Sequence, residues 1–457
     1  MSRDQGTPTG SGTKATFSCW FKLGTIDTSD QGLLRINDSG VNSMFAVYIS
    51  PSAIKFRILD SAAYVGTKVT SRQFFDHSAF YHVVCTLDTT QSTATDRMKV
   101  YVNGVLETDF STNTAPDEDH VSVTLAATSG SIQLLNSHSA TGGSAGTDCY
   151  MAEVCFCDGQ ALAASSFGEF DEDSPTIWKP KDVSGLTFGD EGWYCDFEDS
   201  DNLGDDESGN ENDLTEYNLA AADQATDTPT NNFCTLNSLH KTSQKTFTQG
   251  NTTYAKSGSW HRATLGTIAP TNGKWYFEFK NNNDAKFEVA VCNETLASNG
   301  LYFSDTTANS TYTFRYSNHA ITFYTANGSA YMYQNGSSTR SDVGQIASGD
   351  IGMIAFDCTT GKLWTGREGT WDNSGDPAAG SNPSTTWSTN FTANQTTYFG
   401  FGQESDQVVD VNFGGVAGFG GAAVSSANAD GNGYGAFEFA VPSGFYALCT
   451  QNLAEEG

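Results

Sequence analysis

Lys99-Val100-Tyr101-Val102-Asn103-Gly104-Val105-Leu106 is the stretch that decides the fold class. Two short runs of β-branched and aromatic residues flank Asn103-Gly104. Both central residues of a type I′ turn need positive φ, which Asn and Gly tolerate, so the stretch predicts a β-hairpin. The same grammar repeats outward in both directions. Thr16-Phe17-Ser18-Cys19-Trp20-Phe21 alternates as a half-buried strand does, and Met44-Phe45-Ala46-Val47-Tyr48-Ile49 pairs with Ile54-Lys55-Phe56-Arg57-Ile58 across Ser50-Pro51-Ser52. Tyr81-His82-Val83-Val84-Cys85-Thr86-Leu87 reads as a buried strand. Only residues 158–169, around Gln160-Ala161-Leu162-Ala163-Ala164, look briefly helical, and no βαβ alternation appears. The expectation is an all-β protein, two β-sandwich domains of jelly-roll type in tandem.

Length supports two cores, because 457 residues exceed what one ordinary interior organises. A formal net charge of −30 opposes binding to nucleic-acid phosphates or an anionic lipid surface. No apolar run is long enough to span a bilayer, and Met1-Ser2-Arg3-Asp4-Gln5 lacks the apolar stretch of an export signal. The expectation is therefore no nucleic-acid partner and no membrane insertion. The ten cysteines lie mostly inside apolar strand runs, as reduced core thiols of a protein made in a cytosol would.

Residues 182–240 contain no Lys or Arg, and twelve acidic side chains fall between Asp190 and Glu216. Trp193-Tyr194-Cys195-Asp196-Phe197 reads as a closing strand, residues 199–216 as a charged loop, and residues 226–239 as the connection between domains. The expected organisation is a flexible or partner-ordered arm over 1–14, a first domain over 15–225, a linker over 226–239 and a second domain over 240–457.

Several of these stretches resemble known families. "TFSCW" at 16–20, "YHVVCTLD" at 81–88, "KVYVNGVL" at 99–106 and "AEVCFCDGQAL" at 152–162 resemble a laminin-G-like, concanavalin A-type jelly roll. Asp206-Glu207-Ser208-Gly209-Asn210-Glu211-Asn212-Asp213 is similar to the D-x-S-G-N-x-N-D element of such domains, which opens the domain in many relatives and closes it here. In the second half, "GKWYFEF" at 273–279, "GDIGMIAFD" at 349–357, "GKLWTGREGTW" at 361–371 and "YFGFGQ" at 398–403 resemble a SPRY (B30.2) sandwich. With the tail from Asp410 to Leu453, the combination resembles virion structural and appendage proteins of tailed bacteriophages, marine ones especially. That resemblance implies a tail fibre, appendage or capsid decoration, made in the host cytoplasm and displayed on the particle. Its implied partners are other virion proteins, further copies of itself, and host surface polysaccharide. A glycan depolymerase on the same particle and a free secreted lectin or adhesin are the alternatives.

Two sets of residues are candidates for binding. Asp196, Asp199, Asp206, Asn210, Asn212 and Asp213 offer the oxygen ligands that calcium takes from flexible loops, although Asn210 stands where an EF-hand loop needs Gly. Against calcium stands a solvated loop held open by its own charge. Tyr312, Tyr316, Tyr324, Tyr331 and Tyr333 offer aromatic faces for sugar rings, or ordinary packing in an all-β sheet. For catalysis, Glu169, Asp171 and Asp173 at period two would face one side of a strand as a glycosidase row does, but Ser174-Pro175 ends the run and marks an acidic turn. The seven His form no metal or triad spacing. No enzymatic activity is expected, and calcium is the one cofactor suggested.

Overall fold

The structure is a computed structural model that describes residues 1–25, 30–38, 42–135, 147–240, 244–257, 262–283, 286–299, 313–326, 328–403, 406–416 and 418–457. It divides into two compact units, Met1–Gln224 and Ala225–Gly457. Each unit is a pair of facing, largely antiparallel sheets, so the chain is all-β as its pattern predicts.

In the first unit a seven-stranded sheet runs β1 (Ser2–Asp4), β11 (Gly130–Leu134), β3 (Gln31–Asp38), β4 (Met44–Ser50), β5 (Ala53–Asp60), β6 (Ala63–Thr70) and β10 (Phe110–Thr114). The second sheet runs β15 (Trp193–Cys195), β12 (Cys149–Asp158), β2 (Lys14–Leu23), β7 (Tyr81–Asp88), β8 (Met98–Val102) and β9 (Val105–Leu106). Alternate residues of each strand meet between the sheets: Phe17, Cys19 and Phe21 of β2 share a core with Phe45 and Val47 of β4 and with Phe56 and Ile58 of β5. Burying each large side chain stabilises by about 1.5–3 kcal/mol. The β8–β9 turn has Asn103 at φ 47° and Gly104 at φ 78°, and Val102 pairs with Val105, the type I′ arrangement expected. A Cβ on Gly104 would lie 2.5 Å from the Trp178 ring, so this glycine serves packing as well as the turn.

Two expectations fail here. Residues 1–14 are no loose arm: β1 pairs with β11, Ser2 bridges to Thr215, and Arg3 reaches Glu191 at 3.1 Å and Asn212 at 2.7 Å. The Gly6 N–H also donates to Glu191, at 2.9 Å. A Gly- and Thr-rich sequence reads as flexible because its partners lie some two hundred residues away. The helical signal over 158–169 shrinks to one 3-10 turn, Ala164–Ser166, ahead of a ribbon of β13 (Gly168–Phe170) and β14 (Trp178–Pro180).

The second unit faces a sheet of β16 (Lys245–Thr248), β17 (Thr253–Lys256), β29 (Gln407–Asn412), β19 (Lys274–Asn281), β24 (Ile351–Asp357), β25 (Lys362–Arg367) and β26 (Thr370–Trp371) against a six-stranded one. Two short strands extend the first of these: β27 (Thr385–Thr386) on β25, and β32 (Tyr446–Ala447), parallel to β19. The six-stranded sheet runs β18 (Arg262–Leu265), β28 (Thr397–Gln403), β20 (Phe287–Asn293), β21 (Ala320–Ala326), β22 (Ser329–Gln334) and β23 (Ser337–Val343). A small ribbon, β30 (Gly418–Phe419) with β31 (Ala422–Ala423), and a terminal helix over Thr450–Glu456 complete the unit. Phe277 and Phe279 of β19 pack on Phe401 of β28.

Residues 226–239, expected to be a linker, belong to this unit. Phe233, Cys234 and Leu236 are buried, Phe233 bridges to Cys449, and Leu236 bridges to Gly266. The short apolar run Phe233-Cys234 is flanked by turn residues, so its strand-like role depends on a distant partner that local pattern does not reveal.

Candidate functional site

The acidic segment is built from the inside by its own backbone. Asp206 Oδ1 accepts from the N–H of Tyr194 at 2.8 Å and of Ser208 at 2.9 Å, while Oδ2 accepts from Ser208 Oγ and the Asn212 N–H, both at 2.8 Å. Asp213 accepts from the Asp206 N–H at 3.1 Å. The Asn210 amide donates to the carbonyls of Gly189 and Gly192, and the Asn212 amide to those of Asp190 and Gly192. Asp196 and Asp199 each accept from an N–H two residues on, those of Glu198 and Asp201. The six candidate calcium ligands thus resolve into a hydrogen-bonded lattice (Asp206, Asn210, Asn212, Asp213) and two separate Asx turns. N–H donors face the carboxylate oxygens that a cation would need. Among the described residues no group of three or more His, Cys, Asp or Glu is placed to hold a metal ion. The remaining charge is felt as repulsion: Asp196 raises the Glu207 carboxyl above its ordinary range.

The carboxylate row lies on the β13–β14 hairpin. Lys179 sits opposite Glu169 in register and bonds Asp171 at 3.1 Å, holding the Asp171 carboxyl below its ordinary range. Glu278, by contrast, is fully buried on β19, and burial pushes it up to about 7. It accepts from the Tyr276 hydroxyl at 2.7 Å and from the N–H groups of Glu438 and Phe439 at 2.9 Å, so its oxygens fasten the C-terminal segment to the sheet. His82 is likewise internal, stacked on Trp20 at 4.7 Å. The Trp178 indole donates to its Nδ1, so Nε2 carries the proton and donates to Ser18 Oγ; burial pushes the ring's pKa down to about 3 and keeps it neutral. All ten cysteines are free thiols, nine of them buried and Cys149 half-buried.

The tyrosines do converge. Cross-strand register places Glu288, Tyr324 and Tyr331 in one row and Ala290, Thr322 and Tyr333 in the next, all on the outer face of the six-stranded sheet. Tyr333 lies 6.0 Å from Tyr324 and 6.1 Å from Tyr331. A 3-10 turn, Phe314–Tyr316, crosses this face. Phe314 seats on Gly400 and Gly402 of β28, where a Cβ on Gly400 would come within 2.6 Å of the ring. That seating aims Arg315 at Glu288, 3.1 Å away, and holds its guanidinium 4.1 Å from the Tyr324 ring and 5.0 Å from that of Tyr316. Tyr324 is therefore floor, 8 % exposed; Tyr331 and Tyr333 are half-buried, and Tyr316 stands 47 % exposed at the edge. Tyr312 lies outside the described residues. The sequence does not flag Arg315 or Glu288, because only the turn's seating brings them together.

The result is an aromatic shelf around a neutralised ion pair, bordered by the hydroxyl-bearing edge strand β23, where Ser337, Ser338 and Thr339 are exposed. Such a shelf offers ring faces and hydroxyl partners and no net charge.

Comparison with known proteins adds one family. Residues 4–144 match the family described as "Concanavalin A-like lectin/glucanases superfamily". Among solved structures the chain is similar to a TRIM65 PSpry domain (10 % identity, 39 % of this chain and 89 % of that one, TM-score 0.30) and to the SPRY domain of human HERC1 (14 %, 35 % and 87 %, TM-score 0.25). It is also similar to mouse laminin alpha1 chain domains LG4-5 (10 % identity, 92 % and 80 %, TM-score 0.29). No curated protein matches in sequence.

Proposed function

We propose that this chain is a non-enzymatic glycan-binding surface protein, whose second unit takes neutral sugar rings on the shelf of Tyr316, Tyr331 and Tyr333. The observation that carries the proposal is the Arg315–Glu288 pair under the tyrosines: it makes the shelf rigid while cancelling the charge beneath it. Sugar faces stack on aromatic rings through their C–H groups, and the hydroxyls of β23 lie beside them. The lectin-type match of the first unit supports the binding class. Calorimetric titration with neutral oligosaccharides tests it. Tyr331→Ala and Tyr333→Ala should each weaken binding about tenfold without lowering the melting temperature by more than a few degrees. Binding untouched by both substitutions would refute the shelf.

The setting we propose for this activity is the surface or tail of a phage particle, as a homo-oligomer among other virion proteins, with host polysaccharide as the ligand. The support is the resemblance carried by the tandem sandwiches and the tail from Asp410 to Leu453. Mass spectrometry of purified particles should find the chain in stoichiometric amount; its presence in the culture medium alone would reject that setting.

A further inference from the structure

The outer face of the first unit's seven-stranded sheet carries charge of the wrong sign for this chain. The sequence holds 23 Lys and Arg against 53 Asp and Glu, yet here Arg35, Lys55 and Arg57 share one face, and Lys55 and Arg57 flank its carboxylate, Asp30. Register explains the gathering. Arg35 of β3 and Arg57 of β5 both lie opposite Ala46 of β4, and Lys55 lies opposite Tyr48. Their sequence neighbours Phe45, Val47 and Phe56 point the other way, into the core. Ala46 leaves a shallow floor between the two arginines, whose backbones stand about 10 Å apart, two strand spacings.

Asp30 is occupied by Lys55, at 2.7 and 3.0 Å, and lies 3.8 Å from Arg57. The arginines keep donors in reserve. Arg57 Nε is buried with no acceptor among the described residues, and its guanidinium lies 4.7 Å from the ring of Tyr64. Arg35 Nε donates to Asn37 at 2.7 Å, and its outer nitrogens have no acceptor among the described residues. Tyr48 forms the fully buried floor, its hydroxyl turned to the Met44 sulfur at 2.9 Å, while Tyr64 stands 55 % exposed at the side.

We propose that this face binds an acidic glycan, with a carboxylate or sulfate group of one sugar at Arg57 and that of the next repeat at Arg35. Guanidinium groups take such oxyanions as paired charge-assisted donors. The terminal nitrogens of the two guanidinium groups supply these donors, and the exposed ring of Tyr64, on β6 beyond Arg57, packs on the sugar beside that arginine. The backbone spacing of the two arginine positions, about 10 Å, matches a disaccharide repeat, so the polymer we propose carries one acid per disaccharide. The chain's overall negative charge disfavours more densely charged polymers.

The test uses the full chain carrying Tyr331→Ala and Tyr333→Ala, which separates this face from the neutral-sugar shelf. Hyaluronan octasaccharide, with one carboxylate per disaccharide, should bind in calorimetry at constant ionic strength, and dextran oligosaccharide should not. A sulfated, uronate-free oligosaccharide distinguishes sulfate from carboxylate: binding of either acid supports the site, and their ranking names the group. Arg35→Gln and Arg57→Gln should each weaken binding about tenfold or more. If Arg57→Gln fails to fold, Arg35→Gln carries the test, since among the described residues its side chain bonds only Asn37. Failure of both acidic sugars, unchanged affinity in Arg35→Gln, or equal binding of polyglutamate would overturn the proposal.

Discussion

Raising the pH should unfasten the second unit at one known point. Glu278 is fully buried and titrates near 7, against about 4.3 for an unfolded glutamate. Below the unfolded value both states are protonated and the group makes no difference. Between the two values the unfolded chain ionises first, so the folded state holds the extra proton and stability falls as pH rises, until both are ionised above about 7. Every pH unit that separates the two values corresponds to about 1.36 kcal/mol, so the loss across the whole window is about 4 kcal/mol, of which about 3 kcal/mol falls between about pH 4.5 and pH 8. Glu278→Gln removes the ionisation in both states. Its amide sets an N–H against the backbone donors of Glu438 and Phe439, so the variant starts less stable at acid pH, but its stability should lack this slope. The informative quantity is the difference in unfolding free energy between wild type and variant at each pH. Urea titration with hydrogen exchange read on peptides spanning 274–281 and 437–447 isolates the second unit. That difference should shrink by about 3 kcal/mol between about pH 4.5 and pH 8. Parallel curves for the two proteins would refute the account of Glu278.

Two further expectations concern the first unit. Arg3→Ala strands Glu191, which is 7 % exposed in its side chain, and should cost about 3 kcal/mol in thermal unfolding, because a buried carboxylate loses its partner; an unchanged melting temperature would mean that β1 adds nothing to the sheet. Asp206→Ala removes four hydrogen bonds from the acidic turn and should lower stability by about 3 kcal/mol, while a chelator should leave the wild-type melting temperature unchanged; a chelator-induced drop would restore calcium as the organiser of the turn.

The strands were legible because their information is local. Asn103-Gly104 names its own turn, and the alternation of Thr16 to Phe21 names its own face. The sites were less so. Asp206, Asn210 and Asn212 have the composition of a cation site, and nothing in the sequence says that N–H groups from Tyr194, Ser208 and Asn212 already satisfy Asp206, or that the Asn210 and Asn212 amides are spent on loop carbonyls. Tyr331 and Tyr333 were visible as aromatics at period two, but the Arg315–Glu288 pair that makes them a shelf depends on where Phe314 seats. Arg35, Lys55 and Arg57 read as unremarkable outward residues until strand order sets β3, β4 and β5 side by side. Residues 226–239 failed for the same reason: Phe233 is a core residue only because Cys449 lies beside it.

The bridge between Ser2 and Thr215 bears on how such a unit is passed between proteins. The strand that enters the first unit and the segment that leaves it are hydrogen-bonded neighbours, tied again by Arg3 to Glu191 and Asn212. A module whose ends meet can be spliced into a loop of another chain, or have its ends joined and be reopened elsewhere, without moving a strand in space.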